Sequence, residues 1–165
     1  MIDDEIAAAA TRVLALCRGR GWKVATAESC TGGLVAAALT EIAGSSDVVD
    51  CGFVTYSNEA KQRLLAVPAA TLAAHGAVSA ETARAMAQGA LMQSDADLAV
   101  AVTGVAGPSG GSAEKPVGLV HFAAAGDAQL IHREQRFGDV GRAQVRRLSV
   151  LEALAMLEEL AGART

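Results

Sequence analysis

Ser29 and Cys30 stand in the run Ala27-Glu28-Ser29-Cys30-Thr31-Gly32-Gly33, where an apolar stretch gives way to a hydroxyl, a thiol and two glycines. A strand that ends there and turns into a helix places a candidate nucleophile beside backbone N–H groups that have no intrahelical partner. Those groups, at the positive end of the helix dipole, could hold a phosphate or a developing oxyanion. A plain capping role for Ser29 or Thr31 fits the segment equally well. Lys61 lies four residues after Ser57, in the first turn of a helix opened by Ser57-Asn58-Glu59-Ala60. A cation there is disfavoured by the same dipole, and partial burial would lower its pKa further, which would make it a base toward a serine. The alternative is an ordinary surface lysine. Tyr56, the single tyrosine, ends the preceding strand; core packing with the hydroxyl at the rim is its bland role. Thr103-Gly104-Val105-Ala106-Gly107-Pro108-Ser109-Gly110-Gly111 holds four glycines and a proline in nine residues. Such a loop lets backbone approach a ligand closely and reads as a phosphate or substrate loop, against the alternative of a long flexible connection. It is not a P-loop, since no Gly-Lys-Ser/Thr follows, and it lacks the order of a dinucleotide fingerprint.

Hydropathy patterning supplies the elements that would position these residues. Ile2, Ile6, Ala9, Val13, Leu16 and Cys17 follow helical spacing, with Gly19 and Gly21 near the stop. The pattern predicts helices over 3–19, 31–43, 58–65, 69–74, 80–93 and 140–161, and strands over 22–27, 48–56, 97–103, 117–125 and 128–137. Gly126-Asp127 is a two-residue hairpin signal, so the last two strands should be antiparallel. The expected fold is a single α/β domain over 1–165, a three-layer αβα sandwich around a mixed, mostly parallel sheet that ends in this hairpin. Met86, Leu91, Leu151, Leu154, Leu157 and Leu160 are expected in the core or an interface.

The runs Glu28-Ser29-Cys30-Thr31-Gly32-Gly33, Gly52-Phe53-Val54-Thr55-Tyr56-Ser57-Asn58-Glu59-Ala60-Lys61, Gly76-Ala77-Val78-Ser79-Ala80-Glu81-Thr82-Ala83, Thr103-Gly104-Val105-Ala106-Gly107-Pro108 and Lys115-Pro116-Val117-Gly118 closely resemble the CinA C-terminal domain family. Order and spacing are kept over almost the whole chain. Stand-alone members of that family act as nicotinamide-nucleotide amidohydrolases, so the resemblance implies conversion of nicotinamide mononucleotide to nicotinic acid mononucleotide and ammonia. It implies Ser29 as nucleophile, Lys61 and Tyr56 as proton-handling partners, and substrate contacts from Thr31, Gly32, Gly33, Thr103, Gly104, Gly107 and a C-terminal arginine. No cofactor is implied. In the family pattern the arginine follows directly on the Gly-Asp after the last strand, whereas Val140-Gly141 intervene here between Gly138-Asp139 and Arg142. Arg142, Arg146 and Arg147 are all candidates for a phosphate contact, with Arg142 preferred because Val145 and Leu148 mark a core-facing stripe; arginine suits the task through its planar, bidentate geometry. The resemblance also allows a silent nucleotide-binding or regulatory module, as in fused competence and damage-inducible proteins. A phosphoryl-transfer enzyme is a weaker alternative, because the only acids near the loops are Glu28 and Glu59.

Composition narrows the partners. A net charge of −4 with 3% aromatic residues argues against a nucleic-acid surface, which needs a basic stripe and stacking platforms. Cys17, Cys30 and Cys51 are odd in number and widely spaced, so neither a disulfide framework nor a zinc site is expected, and a reducing cytoplasm is the natural setting. Cys30 is a rival nucleophile, although no histidine lies near it in sequence. His75, His121 and His132 show no ligand spacing. Asp3, Asp4 and Glu5 replace the basic start of a signal peptide, and no apolar run reaches membrane-spanning length. The expected partners are a small nucleotide substrate and a second copy of the chain, a homo-oligomer with a dimer preferred.

Overall fold

The computed structural model describes residues 2–126 and 128–162. The chain runs α1 (Asp4–Arg20), β1 (Val24–Glu28), α2 (Leu34–Thr40), β2 (Val49–Val54), α3 (Asn58–Leu65), α4 (Ala69–His75), α5 (Ala80–Met92), β3 (Leu98–Gly104), β4 (Leu119–Gly126), β5 (Gln129–Arg136) and α6 (Arg142–Gly162). The five strands form one sheet in the order β2-β1-β3-β4-β5. β1 pairs in parallel with β2 and β3, and β4 is antiparallel to both β3 and β5, so four strands point one way and β4 opposes them.

Alternation along the central strands sorts side chains by size. Val24, Leu98, Val100, Val102, Val120 and Phe122 face one side, where α1, α2 and α6 cover them. Ala25, Ala27, Ala99, Ala101, Ala123 and Ala125 face the other, against Ala83, Met86, Ala87 and Ala90 of α5 and Leu65 and Leu72 of α3 and α4. Strands buried on both faces lose the polar half of the usual alternation and read as continuous apolar runs. The alanine face lets α5 lie close to the sheet and brings α3 in tightly beside it. At Gly89 a Cβ would overlap the Leu65 carbonyl at the end of α3. Gly89→Ala is therefore expected to cost about 1–3 kcal/mol through overpacking, read as a lowered urea midpoint with unchanged slope.

Element ends differ from the sequence pattern for local reasons. Gly21 takes a left-handed φ of 68° and Trp22 N–H returns to the Cys17 carbonyl, so Trp22 belongs to the stop of α1 and β1 begins at Val24. Gly32 and Gly33, at φ 59° and 103°, delay α2 to Leu34. The β4–β5 ladder closes at the Gly126–Gln129 pair, with Ala128 at φ 64°; Asp127 of the expected turn lies outside the described residues.

Candidate active site

β1 delivers the Ser29 turn to the carboxyl end of the sheet, and hydrogen bonds fix it there. Ser29 N–H donates to Val102 on β3, Gly32 N–H returns to Ser29, and Leu34 N–H to Thr31. The wholly buried Glu28 reaches across the turn: its carboxylate accepts from Val35 N–H at 2.8 Å and Ala36 N–H at 3.1 Å. This corrects the expectation of a free helix N-terminus, since an internal carboxylate already occupies the first turn of α2. The N–H groups of Cys30 and Thr31 remain without a backbone acceptor among the described residues.

Lys61 comes from the other direction. Ser57 caps α3 by accepting from Ala60 N–H, so Lys61 projects from the first helical turn. Its side chain is fully buried. Nζ lies 2.9 Å from Ser29 Oγ, 2.6 Å from the Thr55 carbonyl and 3.4 Å from the Tyr56 carbonyl. Removal of water from the charged form lowers the Lys61 pKa to about 8, the Cys30 thiol acting weakly in the opposite sense. The partners suit a neutral amine: two N–H bonds can go to the two carbonyls, leaving the lone pair to receive the Ser29 hydroxyl proton. Burial pushes the Cys30 thiol up to about 11, so at neutral pH it stays protonated and is a poor nucleophile.

A cavity of about 280 Å³ opens above this pair. Tyr56, Thr103, Gly104, Gly107 and Arg142 line it with Ser29, Cys30 and Lys61. Thr103 Oγ1 donates to the Ala77 carbonyl at 2.8 Å, tying β3 to the loop before α5. A Cβ on Gly104 would sit 2.8 Å from the Leu119 carbonyl, and Gly107, at a left-handed φ of 82°, would press one to 2.6 Å from the Val117 side chain, so both positions need glycine. Tyr56 is 61% exposed rather than packed in the core, and its hydroxyl accepts from Arg142 Nη2 at 3.1 Å. Only the Tyr56 carbonyl touches Lys61. Arg142 Nη1 donates to the Gly107 carbonyl at 2.9 Å.

The remaining expected site residues lie elsewhere. Thr31, Gly32 and Gly33 shape the turn but do not line the cavity. Arg146 donates to the Thr31 carbonyl on the far side of that turn, and Arg147 pairs with Asp3 and Glu5 of the α1 end. Of the three arginines, Arg142 alone faces Ser29 across the cavity. Sequence reasoning missed the role of Glu28, and its signal was an acid set between an apolar strand and a serine. It also missed that His121 and His132, eleven residues apart, meet through Nδ1 and Nε2 at 2.9 Å on β4 and β5. No group of three or more metal-ligating side chains occurs among the described residues.

The chain matches the CinA C-terminal domain family over residues 6–161 and belongs to that family. It is 54% identical over 156 residues to a CinA-like protein of Synechococcus, covering 94% of this chain but 37% of that protein. The chain thus spans about a third of the length of the curated relatives it matches first. A protein of Enterobacter agglomerans named nicotinamide-nucleotide amidohydrolase PncC is 55% identical over 124 residues, covering 74% of this chain and 76% of its own length. The crystal structure of the competence/damage inducible protein CihA from Agrobacterium tumefaciens superposes with a TM-score of 0.96 at 53% identity, covering 99% of each chain. No helix among the described residues is long and apolar enough to cross a membrane.

Proposed function

We propose that this protein is a nicotinamide-nucleotide amidohydrolase that converts nicotinamide mononucleotide and water to nicotinic acid mononucleotide and ammonia. The observation that carries the reading is the buried Lys61 amine 2.9 Å from Ser29 Oγ, its pKa lowered to about 8. A relative named for this activity supports it. Neutral Lys61 takes the Ser29 proton as Oγ attacks the carboxamide carbon. The N–H of Cys30, which lines the cavity beside Ser29 and has no backbone acceptor among the described residues, is the available donor for the oxyanion. Collapse of the tetrahedral adduct breaks the C–N bond, and Lys61 returns its proton to the leaving nitrogen, which departs as ammonia. Water then attacks the Ser29 ester, Lys61 accepts its proton, and Ser29 leaves with that proton restored. The chemistry uses no cofactor.

The Tyr56 hydroxyl lines the cavity with Ser29 and Lys61 and accepts from Arg142, so in this mechanism it steadies Arg142 while Lys61, bonded directly to Ser29, performs both proton transfers. Arg142 has used two of its five donors on Gly107 and Tyr56, leaving others for a phosphate at the cavity mouth. Binding the phosphate there would position the amide over Ser29. Arg142→Ala should lower kcat/KM for the mononucleotide about ten- to a hundred-fold while changing that for the dephosphorylated riboside little. Equal losses for both would remove Arg142 from the phosphate.

Ammonia release from nicotinamide mononucleotide, with the riboside and the dinucleotide as controls, tests the function. Turnover selective for the mononucleotide is expected. Saturable binding of all three without ammonia would instead mark a silent nucleotide-binding module.

A further inference from the structure

A second and larger cavity, about 540 Å³, lies on the other side of Arg142, between the start of α6 and the start of α1. Its walls are of two kinds. Ile2, Ile6, Leu34 and Val150 supply an apolar floor, while Arg142 and Arg146 supply guanidinium groups. Neither arginine has a carboxylate within ion-pair distance among the described residues. Arg147, one residue on, is neutralised by Asp3 and Glu5. Arg146 is short of partners in a further sense: its Nε is buried with none, and Nη2 reaches only the Thr31 carbonyl at 3.2 Å. Beneath it Thr31 Oγ1 is buried and likewise unbonded. Arg142 is exposed and Arg146 half-buried, and both keep N–H donors to spare, so an anion brought between them gains charge-assisted hydrogen bonds from each. An apolar floor beside two such groups therefore selects a ligand with both an anionic head and an apolar body.

We infer that this cavity is a second binding site, for a phosphorylated small molecule with an apolar body, coupled to the Ser29 turn through Arg146 and to the substrate pocket through Arg142. The coupling runs through one hydrogen bond and a short stretch of backbone. Arg146 holds the carbonyl of Thr31, two residues from Ser29, and a Cβ on Gly32 would lie 3.4 Å from Arg146 Nη2. A ligand that drew Arg146 into the cavity would loosen that turn. One that drew on Arg142 would compete with its bonds to Gly107 and Tyr56. The second site goes beyond the amidohydrolase reading and its binding is measured without turnover; only its coupling to the substrate pocket rests on that reading.

The probe is phenyl phosphate, titrated by calorimetry into the intact protein, with phenol and inorganic phosphate carrying the two halves of its chemistry separately. Phenyl phosphate should bind saturably and at least about ten-fold more tightly than either half. Val140→Glu adds a carboxylate at the exposed rim of the cavity, and Arg146→Met keeps the apolar stem but removes the charge. Each should weaken phenyl phosphate about ten-fold or more, and Val140→Glu should leave turnover of the mononucleotide within about two-fold. In wild type, saturating phenyl phosphate should change the KM for the mononucleotide to a limiting value, as two linked sites require. The inference is overturned if phenyl phosphate binds no better than inorganic phosphate, or if Val140→Glu leaves its affinity unchanged. It is also overturned if inhibition is linear and strictly competitive, which places the probe in the substrate pocket. Should Arg146→Met fail to fold, Val140→Glu alone decides.

Discussion

Ser29→Ala is expected to lower kcat on the order of 10⁴-fold or more while leaving the fold and affinity for the mononucleotide nearly unchanged. The substitution deletes one oxygen whose only side-chain bond among the described residues is to Lys61 Nζ, and the backbone bonds that hold the turn, from Ser29 N–H to Val102 and from Gly32 N–H to Ser29, do not involve it. Single-turnover assays for ammonia, with calorimetric binding of the mononucleotide, separate the two effects. Near-normal ammonia release would reject the serine mechanism, and Cys30→Ala would then be the next variant. A large loss of affinity along with kcat would show that the hydroxyl binds substrate rather than attacking it.

Lys61→Arg should be almost as damaging as Lys61→Ala, because a guanidinium cannot give up its proton near neutral pH. The pH dependence carries the sharper signature. Only the neutral amine can accept the Ser29 proton, so kcat/KM in the wild-type enzyme should rise about ten-fold per pH unit below about 8 and level off above it. The Lys61→Arg variant should have no such limb. A wild-type profile flat through that range would show that Lys61 acts as a fixed charge. Folding stability follows the same titration. The folded-state pKa lies below the unfolded value near 10.5, so the unfolded chain binds more protons between about pH 8 and 10.5, and the contribution of Lys61 to stability rises across that window. Below it the full penalty of burying the ammonium remains.

Most of the layer order was legible because it rests on periodicity and caps. Asp3, Ser57 and Ser79 each cap a helix, and the hydrophobic runs around Val100 and Phe122 became central strands. What sequence could not show was distance across the fold. Ser29 and Lys61, thirty-two residues apart, become partners because the parallel strands β1 and β2 both end at the carboxyl end of the sheet, where the β2–α3 connection begins. For the same reason the three nearby arginines could not be told apart: their angular positions around the start of α6 send Arg142 toward Gly107, Arg146 toward Thr31 and Arg147 toward α1. Glu28 was passed over since an acid at a strand end is ordinarily solvated, and only its total burial reveals it as the brace of the turn.

The brace sets the direction in which a lopsided ligand enters. With the Glu28 carboxylate sealed against the first turn of α2, that helix offers no unshielded positive end to the cavity floor, and once Lys61 is neutral the floor holds no cation at all. The rim holds Arg142. A molecule charged at one end and neutral at the other is thus sorted by the field before any shape is tested: its anion stays at the threshold and its uncharged end goes down to Ser29.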